Sequence, residues 1–343
     1  MPPLWRFGPD ALDQRGRHVE QAHPIAVTGA AGYIGSRVLY HLTVAHPDWT
    51  VNAMDNFWLG DVRQVGDVKI EHVDLRDRGH LESFLNGADV VLHLAAITGV
   101  QDCEERQDLA YEVNVGGTNN IAWFCRKTGA ALVFPFSVAV LGDPIEFPIT
   151  VEHPREPLNW YGRTKLIGEH TIADMADGAF PAHCYLKSNL YGEHQVNGRT
   201  VSKGTVINFF VNRVSEGREL TVYEPGTQSR NYVHVDDVAQ AYVKSAERLL
   251  DNLDHGKTGA DGYEIAGNED MSVTEIAKLV RSIAAEETNR DVGISLVENP
   301  RPDETFVENF AVDTARACHE LGWRPEQSVA ESVRSLLRAK CLS

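Results

Sequence analysis

The chain has 343 residues, 43% hydrophobic and 24% charged, enough for one large core or two connected ones and too apolar for disorder to be the default. Its 32 lysines and arginines face 49 aspartates and glutamates, a net charge of −17 that argues against a nucleic-acid partner. No stretch is apolar over the length of a bilayer span, so no membrane partner is expected.

Residues 1–23 are polar and charged, without an apolar signal core, and read as an extension. From residue 24, short β-rich runs alternate with helical stretches. Strands are expected at Ile25–Thr28, Val51–Met54, Lys69–Val73, Val90–Leu94, Ala131–Phe136 and Ala182–Asn189. Helices such as Ser36–Val44 and Val113–Arg126 lie between them. This alternation predicts an α/β fold with a doubly wound parallel sheet.

The first strand runs into Thr28-Gly29-Ala30-Ala31-Gly32-Tyr33-Ile34-Gly35-Ser36, with Gly29, Gly32 and Gly35 at the turn into a helix. Glycines there let backbone N–H groups and a helix N-terminus approach a pyrophosphate. Twenty residues past Gly35, Asp55 ends the second strand, where a carboxylate accepts from ribose hydroxyls and repels a 2′-phosphate. NAD is therefore expected in preference to NADP. Asp74-Leu75, at the end of the next strand, reads either as an adenine flank or as a capping aspartate.

Ser137 follows the apolar run Ala131–Phe136, at the sheet edge where open α/β folds place reacting groups. Tyr161 and Lys165 lie 24 and 28 residues further on, four apart and so on one helix face. A free phenol titrates too high to act as a base; an ammonium beside it favours phenolate. A Ser137 hydroxyl could relay a proton between substrate and Tyr161.

Past Tyr191 the regularity weakens and loops are expected at 192–203 and 224–229. The domain reading is 24–190, plus about 232–265, for the nucleotide-binding body, and 191–231 with 266–343 for a smaller lobe carrying helices at Ser272–Ala285 and Val329–Ala339. Cys103, Cys125, Cys184, Cys318 and Cys341 show no metal-ligand spacing and are odd in number, which predicts a reducing cytoplasm and no metal.

The glycine loop, Asp55-Asn56, His93-Leu94-Ala95-Ala96, Asn114-Val115-Gly116-Gly117-Thr118, Ser137 and Tyr161-Gly162-Arg163-Thr164-Lys165, in this order, resemble the extended short-chain dehydrogenase/reductase family in its NAD-dependent epimerase/dehydratase branch. The resemblance runs from about residue 24 to about 330. It implies a Rossmann-type domain with a smaller mixed α/β substrate lobe, and Ser137, Tyr161 and Lys165 as the catalytic set. It further implies that Gly29, Gly32, Tyr33, Ile34, Gly35, Asp55, Asn56, Asp74, Leu75, Leu94, Ala95, Ala96 and Asn114 surround NAD or support the residues that do. Asn189, Arg230 and Arg301 match positions that meet the diphosphate of a nucleotide sugar; the plain alternative for each arginine is a surface ion pair.

Dehydratases and decarboxylases of this branch carry an acidic residue just after the catalytic Ser or Thr. Here Val138 and Ala139 follow Ser137, which favours 4-epimerisation of a nucleotide sugar, UDP-linked by likeness to UDP-glucose 4-epimerases. Thr98 stands where galactose epimerases often carry Lys. A net dehydrogenase, a 4,6-dehydratase and a non-enzymatic NAD sensor remain as alternatives. Family likeness also implies a homodimer, through helices around 114–126 and 160–175.

Overall fold

The computed structural model describes residues 23–300 and 305–342. The expected polar extension, apart from its last residue, and Arg301 lie outside the described residues. Seven parallel strands form one sheet: Pro24–Thr28, Thr50–Asp55, Val68–His72, Val90–His93, Ala131–Ser137, Pro181–Lys187 and Gly259–Ile265. The first strand is central, with Ile25 paired to Val51 on one side and Val90 on the other. The chain then winds outward in both directions, and an antiparallel piece, Gln64–Val65, finishes one edge.

The central strands are apolar on both faces because helices cover both. Ile25, Val27, Val90, Leu92, Ala131 and Val133 belong to one core, and Ala26, Val91, Leu132 and Phe134 to the other. The helices Tyr33–Ala45 and Val235–Asp254 pack together on the first face; Thr118–Thr128 and Trp160–Ala176 cover the second. Val235–Asp254 turns Val238, Tyr242, Ala246 and Leu249 inward, all fully buried. Val238 and Leu249 each contribute roughly 1.5–3 kcal/mol.

A third core gathers Phe210, Val211, Leu220, Tyr232, Ile276, Val280 and Leu337. It lies among the helices Val206–Ser215, Val273–Thr288 and Val329–Cys341 and two small sheets. Ser272 and Glu275 cap the middle helix reciprocally.

The structure differs from expectation in the stretch 192–203. Instead of an irregular loop, His194–Val196 and Arg199–Val201 form a hairpin turning at Asn197 and Gly198, both with positive φ. Asn-Gly between two short runs is a strong signal for this turn, because both positions need left-handed backbone. The helix expected over Val113–Arg126 begins as a π-helical stretch, Tyr111–Gly117.

His93, His183, His194 and His234 are buried, and burial pushes their imidazoles down from about 6.5 to about 3, 3, 4 and 4 respectively. His93 bridges Thr28 Oγ1 (2.9 Å) and Thr118 Oγ1 (3.0 Å). The folded values lie below the unfolded one, so the unfolded chain binds more protons between those values. The neutral imidazoles thus favour the fold fully above pH 6.5, and this contribution shrinks as pH falls toward 4. Linkage makes the loss at pH 5 as much as about 2 kcal/mol per imidazole. The melting temperature is expected to be about 5 °C lower, or more, at pH 5 than at pH 7; a flat profile over that range would contradict this.

Candidate active site

The carboxyl edge of the large sheet borders a cavity of about 750 Å³. Its floor is the turn after the first strand. Gly29 has φ +67, and Gly32 caps the helix Tyr33–Ala45 without a side-chain partner or an acidic residue in the first turn. The first N–H groups of that helix are left for an anion. Tyr33 is tied away from them, donating to the Gly192 carbonyl at 2.7 Å, and burial raises its phenol pKa.

Asp55 holds this turn. Its carboxylate accepts from Ala31 N at 3.0 Å and Phe57 N at 2.7 Å, and burial raises its pKa against those two bonds. Asn56 donates to Asp74 at 3.2 Å. Arg76 forks onto Asp74 at 3.0 Å through both nitrogens, and this hydrogen bonding first of all brings Asp74 down to about 2. Gly29, Gly32, Tyr33, Ile34, Gly35, Asp55, Asn56, Asp74 and Leu75 all border the cavity.

Opposite them, Leu94, Ala95 and Ala96 leave the fourth strand along the cavity wall. Ala95 N donates to Thr28 Oγ1 at 3.1 Å, which fixes the two strand ends to each other. Asn114 does not border the cavity. Its amide accepts from Ile97 N at 2.8 Å and donates to Ile97 O at 3.0 Å and Thr164 Oγ1 at 3.1 Å. It clamps the wall to the helix that carries Tyr161 and Lys165, so its part is positioning.

That helix, Trp160–Ala176, starts from Asn159, whose side chain accepts from Gly162 N at 3.0 Å. A Cβ on Gly162 would lie 2.4 Å from the Ala139 carbonyl, so the glycine lets the helix press onto the turn after Ser137. Ser137 accepts from Ala139 N at 3.3 Å and lies close enough to the Tyr161 phenol to act on it. Burial pushes that phenol up to about 12, while the Ser137 hydrogen bond lowers it. Lys165 is buried, donates to the Pro135 carbonyl at 3.1 Å, and lies over the Phe134 ring. Burial brings its ammonium down to about 8. Phenol and ammonium therefore border the same cavity as the glycine turn, while Ser137, at the end of its strand, is not among the residues that border it.

Asn189 and Arg230 stand on adjacent strands of a small sheet, Tyr232 pairing with Asn189. Asn189 donates to Asn231 O at 3.3 Å; Arg230 donates to Ser229 O at 2.8 Å and Thr305 O at 2.6 Å. Neither is among the residues bordering the cavity.

Sequence reasoning missed several residues that do border it. The 194–201 hairpin closes over one side, with Asn197 donating to Gln64 O at 3.0 Å and Arg199 paired with Asp61 at 2.7 Å. Lys187 and Lys203 also border it. Lys187 ends the strand beside that of Ser137, so the rule that ligands bind at carboxyl strand ends pointed to it.

The profile of the NAD dependent epimerase/dehydratase family matches residues 25–259. Among curated proteins, UDP-glucose 4-epimerase 2 of Arabidopsis thaliana is 31% identical over 341 residues, covering 92% of this chain and 94% of its own. UDP-glucose 4-epimerase 4 of Oryza sativa subsp. japonica is 30% identical over 340 residues, covering 90% and 88%. Among solved structures, the Thermus thermophilus UDP-glucose 4-epimerase complex with NAD is 26% identical, with a TM-score of 0.76 over 92% of this chain and 98% of that one. With the glycine turn, Tyr161 and Lys165 gathered at one cavity, these matches place the chain in the NAD dependent epimerase/dehydratase family.

Proposed function

We propose that the chain is an NAD-dependent 4-epimerase of UDP-sugars, with Ser137, Tyr161 and Lys165 as its catalytic residues. The observation that carries this reading is that Tyr161 and Lys165 share one cavity with a glycine cradle, while Val138 and Ala139 leave no carboxylate beside Ser137. NAD fits the cradle: a Cβ on Gly35 would lie 2.1 Å from the Gly29 carbonyl, and Asp55 offers its carboxylate where a ribose would lie. Gly29, Gly32, Tyr33, Ile34, Gly35, Asp55, Asn56, Asp74, Leu75 and Leu94 to Ala96 would hold the dinucleotide, with Asn114 bracing them. NAD supplies a hydride acceptor that returns the same hydride, so no reductant is consumed.

The protein's part is proton control. Ser137 orients the sugar 4-hydroxyl, and Tyr161 takes its proton directly or through Ser137. Lys165 steadies the phenolate electrostatically. With the hydroxyl proton gone, carbon 4 releases hydride readily; after the ketone turns over, Tyr161 returns the proton on the new face. The family resemblance assigns Asn189, Arg230 and Arg301 to the diphosphate, guanidinium forks suiting phosphate oxygens, and Asn189 and Arg230 would have to leave their backbone partners to reach it.

The test incubates the protein and NAD with UDP-, dTDP- and GDP-sugars. The expected product is a UDP-sugar of unchanged mass, inverted at carbon 4 by NMR. Loss of water, or NADH accumulating with product, would identify a dehydratase or a dehydrogenase instead.

The large sheet with its flanking helices, residues 24–190 and about 232–265, reads as the NAD-binding domain, and the third core as the sugar-nucleotide lobe. A homodimer through Thr118–Thr128 and Trp160–Ala176 fits the exposure of Trp123 and Ile167 on those helices. Trp123→Glu with Ile167→Glu is expected to halve the sedimenting mass; an unchanged mass counts against this face. All five cysteines are unpaired, which fits a reducing cytoplasm; recovery outside the cytoplasmic fraction would exclude that. Among the described residues, no helix is long and apolar enough to cross a membrane.

A further inference from the structure

Lys187 is the last residue of Pro181–Lys187, and its register partner on the neighbouring parallel strand is Ser137. Register partners project from the same sheet face. The lysine therefore stands beside the serine and borders the cavity with Tyr161 and Lys165. Its ammonium has no hydrogen-bond or ion-pair partner among the described residues. The charged groups acting on it are Lys203 and Lys165, both positive, and these add to burial in bringing it down to about 7. Lys203 borders the cavity as well, its ammonium 2.9 Å from Thr98 Oγ1.

Three ammoniums around one cavity are unusual in a chain of net charge −17. Lys165 is held by the Pro135 carbonyl and belongs to the tyrosine. Proton transfer at the 4-hydroxyl is covered by Ser137 and Tyr161, so Lys187 has no task there. An ammonium desolvated without a counterion disfavours its own charged state, and a carboxylate from a ligand would reverse that. In a hexose, carbon 5 adjoins the reacting carbon 4. A carboxylate on carbon 5 would thus lie next to the hydroxyl that Ser137 orients, within the space that Lys187 borders.

Resting on the 4-epimerase reading above, we propose that Lys187 is a specificity residue that anchors the carbon-5 carboxylate of a UDP-hexuronic acid, making uronates preferred over neutral hexoses. Lys203 adds positive potential to the same space. No proton or electron is transferred by Lys187 in this role; it forms an ion pair and releases it.

Calorimetric titration of the NAD-loaded protein with UDP-glucuronate and UDP-glucose tests this by affinity and not by product formed. UDP-glucuronate is expected to bind at least tenfold more tightly. Lys187→Met should remove most of that ratio, and Lys187→Arg, which keeps the charge, should retain it, so that a loss in the first variant reports charge and not folding. Equal affinities in the wild type, or a ratio that survives Lys187→Met, overturn the inference. Turnover is read separately. Epimerisation of neutral hexoses without a uronate preference leaves the 4-epimerase reading standing and removes this inference. A Lys187-dependent uronate preference with no epimer formed does the reverse, and no binding of either ligand removes both.

Discussion

Tyr161→Phe is expected to lower kcat by about 10³-fold, the middle of the range for losing a positioned acid–base group. The substitution removes one oxygen from a half-buried ring and leaves the helix, the Asn159 cap and the Lys165 bond to Pro135 in place. Binding of NAD and of UDP-sugar should therefore persist, which separates the effect from misfolding. Burial pushes the phenol up to about 12 and Ser137 lowers it; in the proposed mechanism the charge of Lys165 lowers it further. Lys165→Met should accordingly shift the rising limb of the pH–rate profile upward. Turnover of Tyr161→Phe within threefold of wild type, on the best UDP-sugar found, would falsify the proposed role.

Gly35→Ala should be nearly as damaging, by a different route. A Cβ at Gly35 would lie 2.1 Å from the Gly29 carbonyl oxygen and 2.8 Å from Ala30 Cα. Both are backbone atoms of the turn itself, so no side chain can swing aside. The turn must open, at an overpacking cost of about 1–3 kcal/mol. Its displacement would pull the first N–H groups of the helix Tyr33–Ala45 off line and disturb the bond from Ala31 N to Asp55. NAD affinity is expected to fall at least about 100-fold, a loss of roughly 3 kcal/mol. Fluorescence titration with NADH checks this, and an affinity within fivefold of wild type would show that the turn does not cradle the cofactor.

Asn114 and Lys187 mark how far reading the chain could go. Asn114 stood out within its motif, yet the motif could not say that its amide would be used up on Ile97 and Thr164, away from the cavity. Those partners are 17 and 50 residues away, and only the packing of the wall against the catalytic helix brings them together. Lys187 carried no motif at all. Its importance comes from a register, Ser137 opposite Lys187, set by where two strands align. The hairpin at 194–201 was legible in principle, since Asn197-Gly198 specifies the turn, but runs of three residues give too little alternation to announce strands.

By itself the sequence determined the parallel α/β class, the turn into the first helix, Asp55 at the second strand end, and the pairing of Tyr161 with Lys165. All of these are consequences of spacing along the chain: alternation of strand and helix, φ freedom at glycine, and one helix turn between two side chains. The tertiary structure alone decided the rest. It set the parallel register of Gly259–Ile265 against Pro181–Lys187, folded the Asn197 hairpin over the cavity, spent Asn114 on bracing, and left Lys187 without a counterion beside Ser137. These outcomes depend on contacts between residues distant in sequence and on which charges end up desolvated together, and neither quantity is carried by a local pattern.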